Sequence, residues 1–406
     1  MTITILIDLD DTLLHNDMDT FLPTYLQGLG GHLSQRVDPK HLISSLLKAT
    51  GKMVHKELPA NTLEQTFDAH FYPAIGVLKA DIDEQILQFY IKKFPHLSSL
   101  TRQNPAAIQL VKEFFRRGWE VVIATNPLFP RTAILQRLDW AGLSVDQFPY
   151  LLVPSFETMH FAKPHPAYYA ELLGQIGWPD RPAFMIGNSL PDDIQPANQL
   201  GLPAFWLTDH PDKAQLPGHS ATGTIDQVIP WIEKNLSQDL PPFVNSILAG
   251  LAVLQATPAA LETRSRNFND TNWHNAPATG EWSPVEVLCH LRDVDLEVNI
   301  PRIRRILTED TPLLTGIDTD DWAATRTYAL QSGPQAIAEF METRMELIQI
   351  LVNLPQNTWY RPCRHTIFGR STLAEMVNFM ATHDRSHLQQ FCRAVECKQN
   401  VYIEGK

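Results

Sequence analysis

Short, almost wholly apolar runs alternate with helix-like segments over roughly the first half of the chain. The runs at 3–7, 120–124, 151–153, 183–186 and 204–207 are rich in β-branched, aromatic and other apolar residues, which is typical of strands buried on both faces. Between them, apolar residues recur at helical spacing, as after Asn104 and Pro105, which form a typical helix start, and before Gly118, a typical helix end. This alternation predicts an α/β fold with a parallel sheet.

The pattern changes twice along the chain. From about residue 16 to 100 the apolar residues follow helical stripes without an alternating strand, which predicts an inserted helical segment. After a polar, Pro-containing stretch at 237–242, helical stripes continue at 247–254, after 284, at 337–351 and at 373–391. These stripes predict a second, all-α domain built as a four-helix bundle. We therefore predict domains at 1–236, with the insertion at about 16–100, and at 242–398.

Polar residues follow the first two predicted strands directly. Asp8 and Asp10 come after the first strand, and Thr125 comes after the second. Ligands of open parallel sheets bind at this carboxyl edge, so we expect these side chains to lie close together. Of two neighbouring carboxyl groups, one can attack as a carboxylate while the other donates a proton. The alternative for this stretch is an ordinary acidic turn.

Two later loops add a cation and further oxygen donors. Lys163 follows the predicted strand at 151–153, and Asn188 and Asp193 follow the strand that ends at Gly187. A lysine here would offset the charge of a carboxylate and a phosphate held together, although most lysines are simply exposed. His160 and His165 flank this lysine, and we interpret them as loop residues.

These four segments, in this order, resemble the motifs of the haloacid dehalogenase-like (HAD) phosphatases over about residues 1–235. The resemblance implies a Rossmann-like core with an inserted helical cap that closes over the site. It implies Asp8 as nucleophile, Asp10 as acid/base, and Thr125 and Lys163 as ligands of the phosphoryl group. It also implies a Mg²⁺ site formed by Asp8, Asp10, Asn188 and Asp193.

Asn188 stands where this family usually has aspartate. Its amide oxygen can ligate Mg²⁺, but the site has one negative charge fewer. The acid at position 10 favours phosphoryl transfer over dehalogenation, because an alkoxide leaving group needs a proton and a halide does not.

Two histidines lie one turn apart on the apolar stripe of the last helix. His383 and His387 can share a metal ion, and His290 on the second bundle helix can supply a third ligand. The alternative is three unrelated, buried histidines. The segments around them resemble DinB/YfiT-like domains over about 244–396, which implies binding of Zn²⁺, Ni²⁺ or a similar ion with an open coordination position. A low-molecular-weight thiol could be activated there.

Composition and cysteine spacing indicate which partners and which cellular compartment to expect. The net charge of −12 argues against nucleic acid as a partner, and we see neither a secretory signal nor a membrane-spanning run. The four cysteines form no C-x-x-C pair, so we expect a reduced, cytoplasmic protein.

The sequence thus predicts a Mg²⁺-dependent phosphatase that hydrolyses a small phosphorylated metabolite through an aspartyl-phosphate, fused to a DinB-like metal-binding domain. A rival hypothesis makes the bundle a metal-dependent thiol S-transferase, while the HAD-like half only binds a ligand. A phosphomutase would share the aspartyl-phosphate step and differ in the acceptor. The bundle could also serve as a non-catalytic interaction or homodimerisation module.

Overall fold

A computed structural model describes residues 2–209, 216–237 and 246–395. Residues 238–242 of the polar stretch predicted as the domain boundary at 237–242, and the predicted end of the second domain at 398, lie outside these residues. Across the described ranges, helices that combine the length and the apolar character needed to cross a bilayer are absent.

The first domain is built on a parallel sheet. Its strands in chain order are β1 (Thr4–Ile7), β2 (Leu14–Asn16), β3 (Thr101–Gln103), β4 (Glu120–Ile123), β5 (Ala183–Gly187), β6 (Ala204–Leu207) and β7 (Ala221–Gly223). The sheet has the order β4-β1-β5-β6-β7, with every pair parallel, and β2 and β3 form a separate antiparallel ribbon. The predicted α/β core is confirmed.

One predicted strand is wrong. Residues 151–153 make only an isolated bridge, between Leu152 and Val122, rather than a strand. Pro149 and Pro154 flank this segment, and proline has no N–H with which to extend a ladder.

Helices cover the sheet and form the insertion. In chain order they are α1 (Met18–His32), α2 (Pro39–Val54), α3 (Leu63–Ile75), α4 (Lys79–Lys92), α5 (Pro105–Arg116), α6 (Arg131–Trp140), α7 (Pro166–Gln175), α8 (Gln195–Gln199) and α9 (Val228–Leu236). Helices α1 to α4 lie between β2 and β3, so the ribbon carries both connections between the insertion and the sheet. We call α1 to α4 the cap.

The second domain is helical. It contains α10 (Ile247–Ser265), α11 (Asp270–His274), α12 (Pro284–Val294), α13 (Ile300–Thr308), α14 (Trp322–Thr325), α15 (Gly333–Val352) and α16 (Leu373–Ala394), with short strands β8 (Leu313–Leu314), β9 (Pro362–His365) and β10 (Gly369–Thr372). The predicted capping boxes at Ser283 and Thr372 start α12 and α16. Long helices α10, α12, α15 and α16 pack together as the predicted bundle.

The two domains share an apolar core. Nine of the ten residues of α7, Ala167 to Gln175, are buried because α10 of the bundle packs across it. The helices approach closely at Gly174, where an added Cβ would lie 2.9 Å from the Cβ of Ala260. Apolar residues of both domains belong to one continuous cluster. The bundle is therefore fixed against the sheet domain rather than tethered to it.

A buried histidine joins the domains at this contact. The Nδ1 atom of His160 lies 2.8 Å from Oε1 of Glu171 on α7, and its Nε2 lies 3.4 Å from Oε2 of Glu262 on α10. Burial by itself lowers the pKa of His160, but attraction to Glu171 and hydrogen bonds to both glutamates outweigh it and raise the pKa above 6.5. Our interpretation of His160 as a loop residue misses this contact.

The cysteines differ in part from the expectation of reduced thiols. Cys289 and Cys363 are buried and free, whereas Cys392 is disulfide-bonded. The expectation was based on the lack of a C-x-x-C pair, a criterion that says nothing about other spacings.

Candidate active site and metal centre

Strand register brings three of the predicted motifs to one edge of the sheet. Ile7, the last residue of β1, pairs with Ile123 of β4 on one side and Ile186 of β5 on the other. Asp8 follows Ile7, so its carboxylate lies between the chain that leads to Thr125 and the chain that leads to Asn188. The backbone N–H of Asp8 donates to the carbonyl of Ile186 at 2.9 Å.

Lys163 lies between two buried carboxylates. Its Nζ donates to Oδ1 of Asp8 at 2.7 Å and to Oδ1 of Asp193 at 2.5 Å. The second oxygen of Asp193 accepts the backbone N–H of Ser189 at 2.9 Å. A Cβ at Gly187 would overlap Asp193, which explains the glycine at the end of β5. Because both of its oxygens are engaged, Asp193 holds the lysine and its own loop in place.

The electrostatics of this group follow from burial. Burial raises the pKa of Asp8 to about 7, with Asp193 adding to the rise and Lys163 opposing it. Burial lowers the pKa of Lys163, but Asp193 and Asp8 outweigh it and raise that pKa well above its usual value. The lysine is therefore a fixed cation, and when Asp8 is ionised the two carboxylates exceed it by one negative charge.

Asp10 faces a different partner. Nη1 of Arg137 on α6 donates to its Oδ2 at 2.5 Å, and Nδ2 of Asn16 donates to its Oδ1 at 2.9 Å. Strand geometry ends at Ile7, and the carboxylates of Asp8 and Asp10 hydrogen-bond to different side chains. Arg137 is buried, and we did not single it out from the sequence. Its position next to an acid could be found only from the fold.

Thr125 and Asn188 lie at the same edge. Thr125 is buried and follows Ala124, whose N–H donates to the carbonyl of Ile7 at 2.7 Å. The amide oxygen of Asn188 accepts the Thr12 hydroxyl at 3.3 Å. Thus an oxygen donor is present at the position where the family usually has a carboxylate.

The three histidines of the bundle meet at their Nε2 atoms. Nε2 of His383 lies 3.1 Å from Nε2 of His290 and 3.1 Å from Nε2 of His387. Within the described ranges, this is the group in which three His, Cys, Asp or Glu ligand atoms lie within 4.8 Å of one another. The side chains of Asp8, Asp10 and Asp193 form no such group there.

These imidazoles are neutral at pH 7. Burial and the neighbouring His387 lower the pKa of His290 to about 3, and burial lowers that of His387 to about 4. Burial and the other two histidines lower the pKa of His383 well below 6.5. Neutral imidazole is the form that ligates metal ions.

Neighbouring groups orient the histidines. Nδ1 of His387 lies 2.8 Å from Oε1 of Gln390, an acceptor that holds the proton on Nδ1 and leaves Nε2 free to ligate. Trp282 stacks on His387 with ring centroids 5.8 Å apart. Asp384, next to His383, pairs with the buried Arg344, as does Asp295 at 2.6 Å. This triad fixes α16 against α15.

The fold and the two sites define a two-domain protein. One domain is an α/β domain with a carboxylate–lysine site at a sheet edge, and the other is a helical bundle with a three-histidine site. Residues 4–201 match the family model of haloacid dehalogenase-like hydrolases, and residues 254–391 match that of the DinB superfamily. The chain therefore contains one domain of each family.

Relatives match one domain each. The uncharacterized protein YuaE of Bacillus subtilis is 25% identical over an alignment of 145 residues. The match covers 32% of this chain and 90% of YuaE. The glyceraldehyde 3-phosphate phosphatase of Pyrococcus furiosus is 25% identical over 123 residues, which are 30% of this chain but only 47% of that enzyme. Among solved structures, the four-helix bundle YfiT of B. subtilis has a TM-score of 0.34 at 21% identity, covering 39% of this chain and 91% of YfiT.

Proposed function

We propose that the HAD-like domain is a Mg²⁺-dependent phosphatase for a small phosphorylated metabolite, with Asp8 as the nucleophile. One observation carries this proposal: a buried lysine lies between Asp8 and Asp193 at the carboxyl edge of a parallel sheet. A fixed cation beside a buried carboxylate allows that carboxylate to approach an anionic phosphate.

The residues at this edge fit a hard divalent cation. Asp8 and Asn188 offer carboxylate and amide oxygens, the donors that Mg²⁺ prefers, and the excess negative charge favours a cation. Asp10 and Asp193 remain proposed ligands: each of their carboxylate oxygens accepts one hydrogen bond and keeps a second lone pair for the ion. When bound, Mg²⁺ would neutralise charge on the phosphoryl oxygens.

In the proposed reaction the side chains at this edge have different roles. An oxygen of Asp8 attacks phosphorus, the bond from phosphorus to the ester oxygen breaks, and that oxygen takes a proton from Asp10. Asp10 next takes a proton from water, which attacks the phosphoaspartate and returns Asp8 and free phosphate. To act, Asp10 must exchange its hydrogen bond with Arg137 or Asn16 for one with the leaving oxygen. Lys163 and Thr125 would hold the phosphoryl group.

The test compares Asp8→Asn with the wild type on an aryl phosphate, with and without Mg²⁺. We expect a loss of at least about a thousandfold in kcat, as is usual when a nucleophile is removed. Asp146→Asn, an exposed carboxylate of the same domain, is the matched control and should retain full activity. Normal turnover by Asp8→Asn would exclude the mechanism.

For the bundle we propose a Zn²⁺ or Ni²⁺ centre formed by His290, His383 and His387. Three neutral imidazoles whose Nε2 atoms meet fit an ion of this class, and a fourth coordination position would stay open. Activation of a low-molecular-weight thiol at that position, homodimerisation and a cytoplasmic setting stay predictions from the sequence. A purified chain without stoichiometric transition metal would contradict the centre.

A further inference from the structure

A cavity of about 390 Å³ lies among the cap helices, directly above the sheet edge. All four cap helices contribute to its wall, and the loops after β4 and before α7 form its floor. Most of the wall is aliphatic or aromatic, and its members include Leu22, Leu46, Phe67, Phe71, Ile86 and Phe129. Neither the motifs nor the family matches assign an occupant to this space.

Two contacts connect the cavity to Asp10. On one side, Met18 of the wall accepts a hydrogen bond from Asn16, and the same amide of Asn16 donates to Asp10. On the other, the ring of Phe129 lies 4.8 Å from the guanidinium carbon of Arg137, which donates to Asp10. The cavity wall is therefore separated by one side chain, Asn16 or Arg137, from the carboxyl group that would protonate the leaving oxygen.

The ionic groups at the cavity wall already have partners. Lys79 pairs with Glu64 at 2.8 Å and with Asp68 at 2.7 Å. Glu157 accepts the backbone N–H of Arg131 at 3.0 Å. These contacts take two of the three donors of Lys79 and at least one acceptor position of each carboxylate, and they hold the polar minority of the wall against the protein.

The tyrosine hydroxyls of the wall are engaged in the same way. Tyr25 and Tyr90 share a hydrogen bond of 2.8 Å, and the Tyr72 hydroxyl donates to Asp83. A hydroxyl-rich group that entered the cavity would lose its water and gain few hydrogen bonds, at a cost that an apolar group does not incur.

We propose, on the basis of the proposed phosphatase activity, that the leaving group is an alcohol with an apolar carbon skeleton and that this skeleton occupies the cap cavity. The substrate class is then alkyl or aryl monophosphates rather than sugar phosphates. Hydrolysis releases the alcohol, whose oxygen has taken the proton from Asp10, together with inorganic phosphate. Leu22, Phe67 and Ile86 act as specificity-determining residues.

The first experiment measures kcat/KM with Mg²⁺ for ethyl, butyl and hexyl phosphate, and for propyl phosphate against glycerol phosphate. We expect kcat/KM to rise by up to about fourfold for each methylene that the cavity buries, and propyl to exceed glycerol phosphate. Equal values along the series, or a preference for glycerol phosphate, would overturn the inference and leave the phosphatase intact. Phosphate release from none of the esters, aryl phosphate included, would contradict both.

The second experiment changes the wall. Leu22→Asn and Ile86→Asn, on facing cap helices, place an amide in the cavity and should each reduce the ratio of kcat/KM for hexyl over ethyl phosphate. Leu78→Asn, at a cap residue that is 73% exposed and outside the cavity, is the matched control and should keep the wild-type ratio. Circular dichroism identifies any variant that does not fold, and the other variant then decides. An unchanged ratio in a folded wall variant would contradict the inference.

Discussion

At the sheet edge two buried carboxylates face a buried lysine, whereas in the bundle one buried and two half-buried imidazoles face one another. The first group is held by ion pairs between loops that are distant in sequence, so protein atoms alone keep it together. In the second, each Nε2 contact is 3.1 Å, and the single Nε2 of His383 can share a proton with only one of its two partners. The comparison teaches that the first site is assembled by its own charges, whereas we expect the proposed ion to hold the second together.

The largest effect is expected at Asp10, which assists chemistry at the sheet edge. Asp10→Asn should reduce single-turnover cleavage of ethyl phosphate by about 10²–10⁴-fold, because the alkoxide then leaves without a proton. Cleavage of 4-nitrophenyl phosphate should fall far less, since its phenolate leaves readily. The measurement is a rapid-quench comparison of the two esters, with Asp146→Asn as control. Equal losses on both esters would mean that Asp10 is not the acid.

Lys163 tests whether ion pairs assemble the first site. Lys163→Met leaves Asp8 and Asp193 buried without their cation and should lower the free energy of unfolding by about 3–5 kcal/mol. Denaturant unfolding measures this loss. Lys112→Met, at an exposed position of α5, should change little. A loss of similar size in both variants would show that the buried pairs do not hold the site.

His383 tests whether the second site needs an ion. His383→Asn should lower metal affinity by more than the roughly 10- to 100-fold typical of losing a group that only supports a ligand. Metal analysis after dialysis measures this, and His274→Asn, at an exposed bundle histidine, is the control. Removing the ion from the wild type with a chelator should lower the stability of the bundle. Unchanged metal content in His383→Asn would contradict the centre.

The smallest effect concerns His160, which lies at the contact between the two domains. Because folding raises its pKa above 6.5, the histidine stabilises the protein fully below pH 6.5, and this contribution is lost as the pH rises through the folded-state value. The stability difference between wild type and His160→Gln should therefore shrink as the pH is raised from below 6.5. Denaturant unfolding along a pH series measures it, with the exposed His70→Gln as control. A constant difference would contradict the contact.

The sequence predicts what depends on local pattern. The parallel core, the cap and the bundle follow from apolar spacing, and Asp8, Lys163 and the three histidines follow from short motifs next to predicted elements. Strand register places Asp8 between the Thr125 and Asn188 segments, and the helical repeat places His383 and His387 one turn apart. Lys163 and His290 reach the two sites through tertiary packing.

The spacing of apolar residues does not predict which charged residues are buried. The apolar stripe predicted at 337–351 includes Ile337, Met341 and Met345, which are only half-buried, whereas the buried face of α15 includes Arg344. A charged residue looks like a surface position until its partners, here Asp295 and Asp384, are known.

Contacts between domains are equally hidden. The burial of nine of the ten residues of α7 has no trace in its own periodicity, because the covering helix α10 belongs to another domain. His160 is missed for the same reason, since Glu262 belongs to α10. Arg137 is missed because its partner Asp10 lies far away in the sequence, although in the same domain.

The central claim is that Asp8 carries the phosphoryl group. Borohydride reduces an acyl phosphate to an alcohol, so quenching the enzyme with it during turnover should convert Asp8 to homoserine, which peptide mass spectrometry detects. We predict homoserine at position 8 in the presence of substrate and unmodified aspartate in its absence. Conversion at another carboxylate, or an unmodified Asp8 while phosphate is released, would contradict the account.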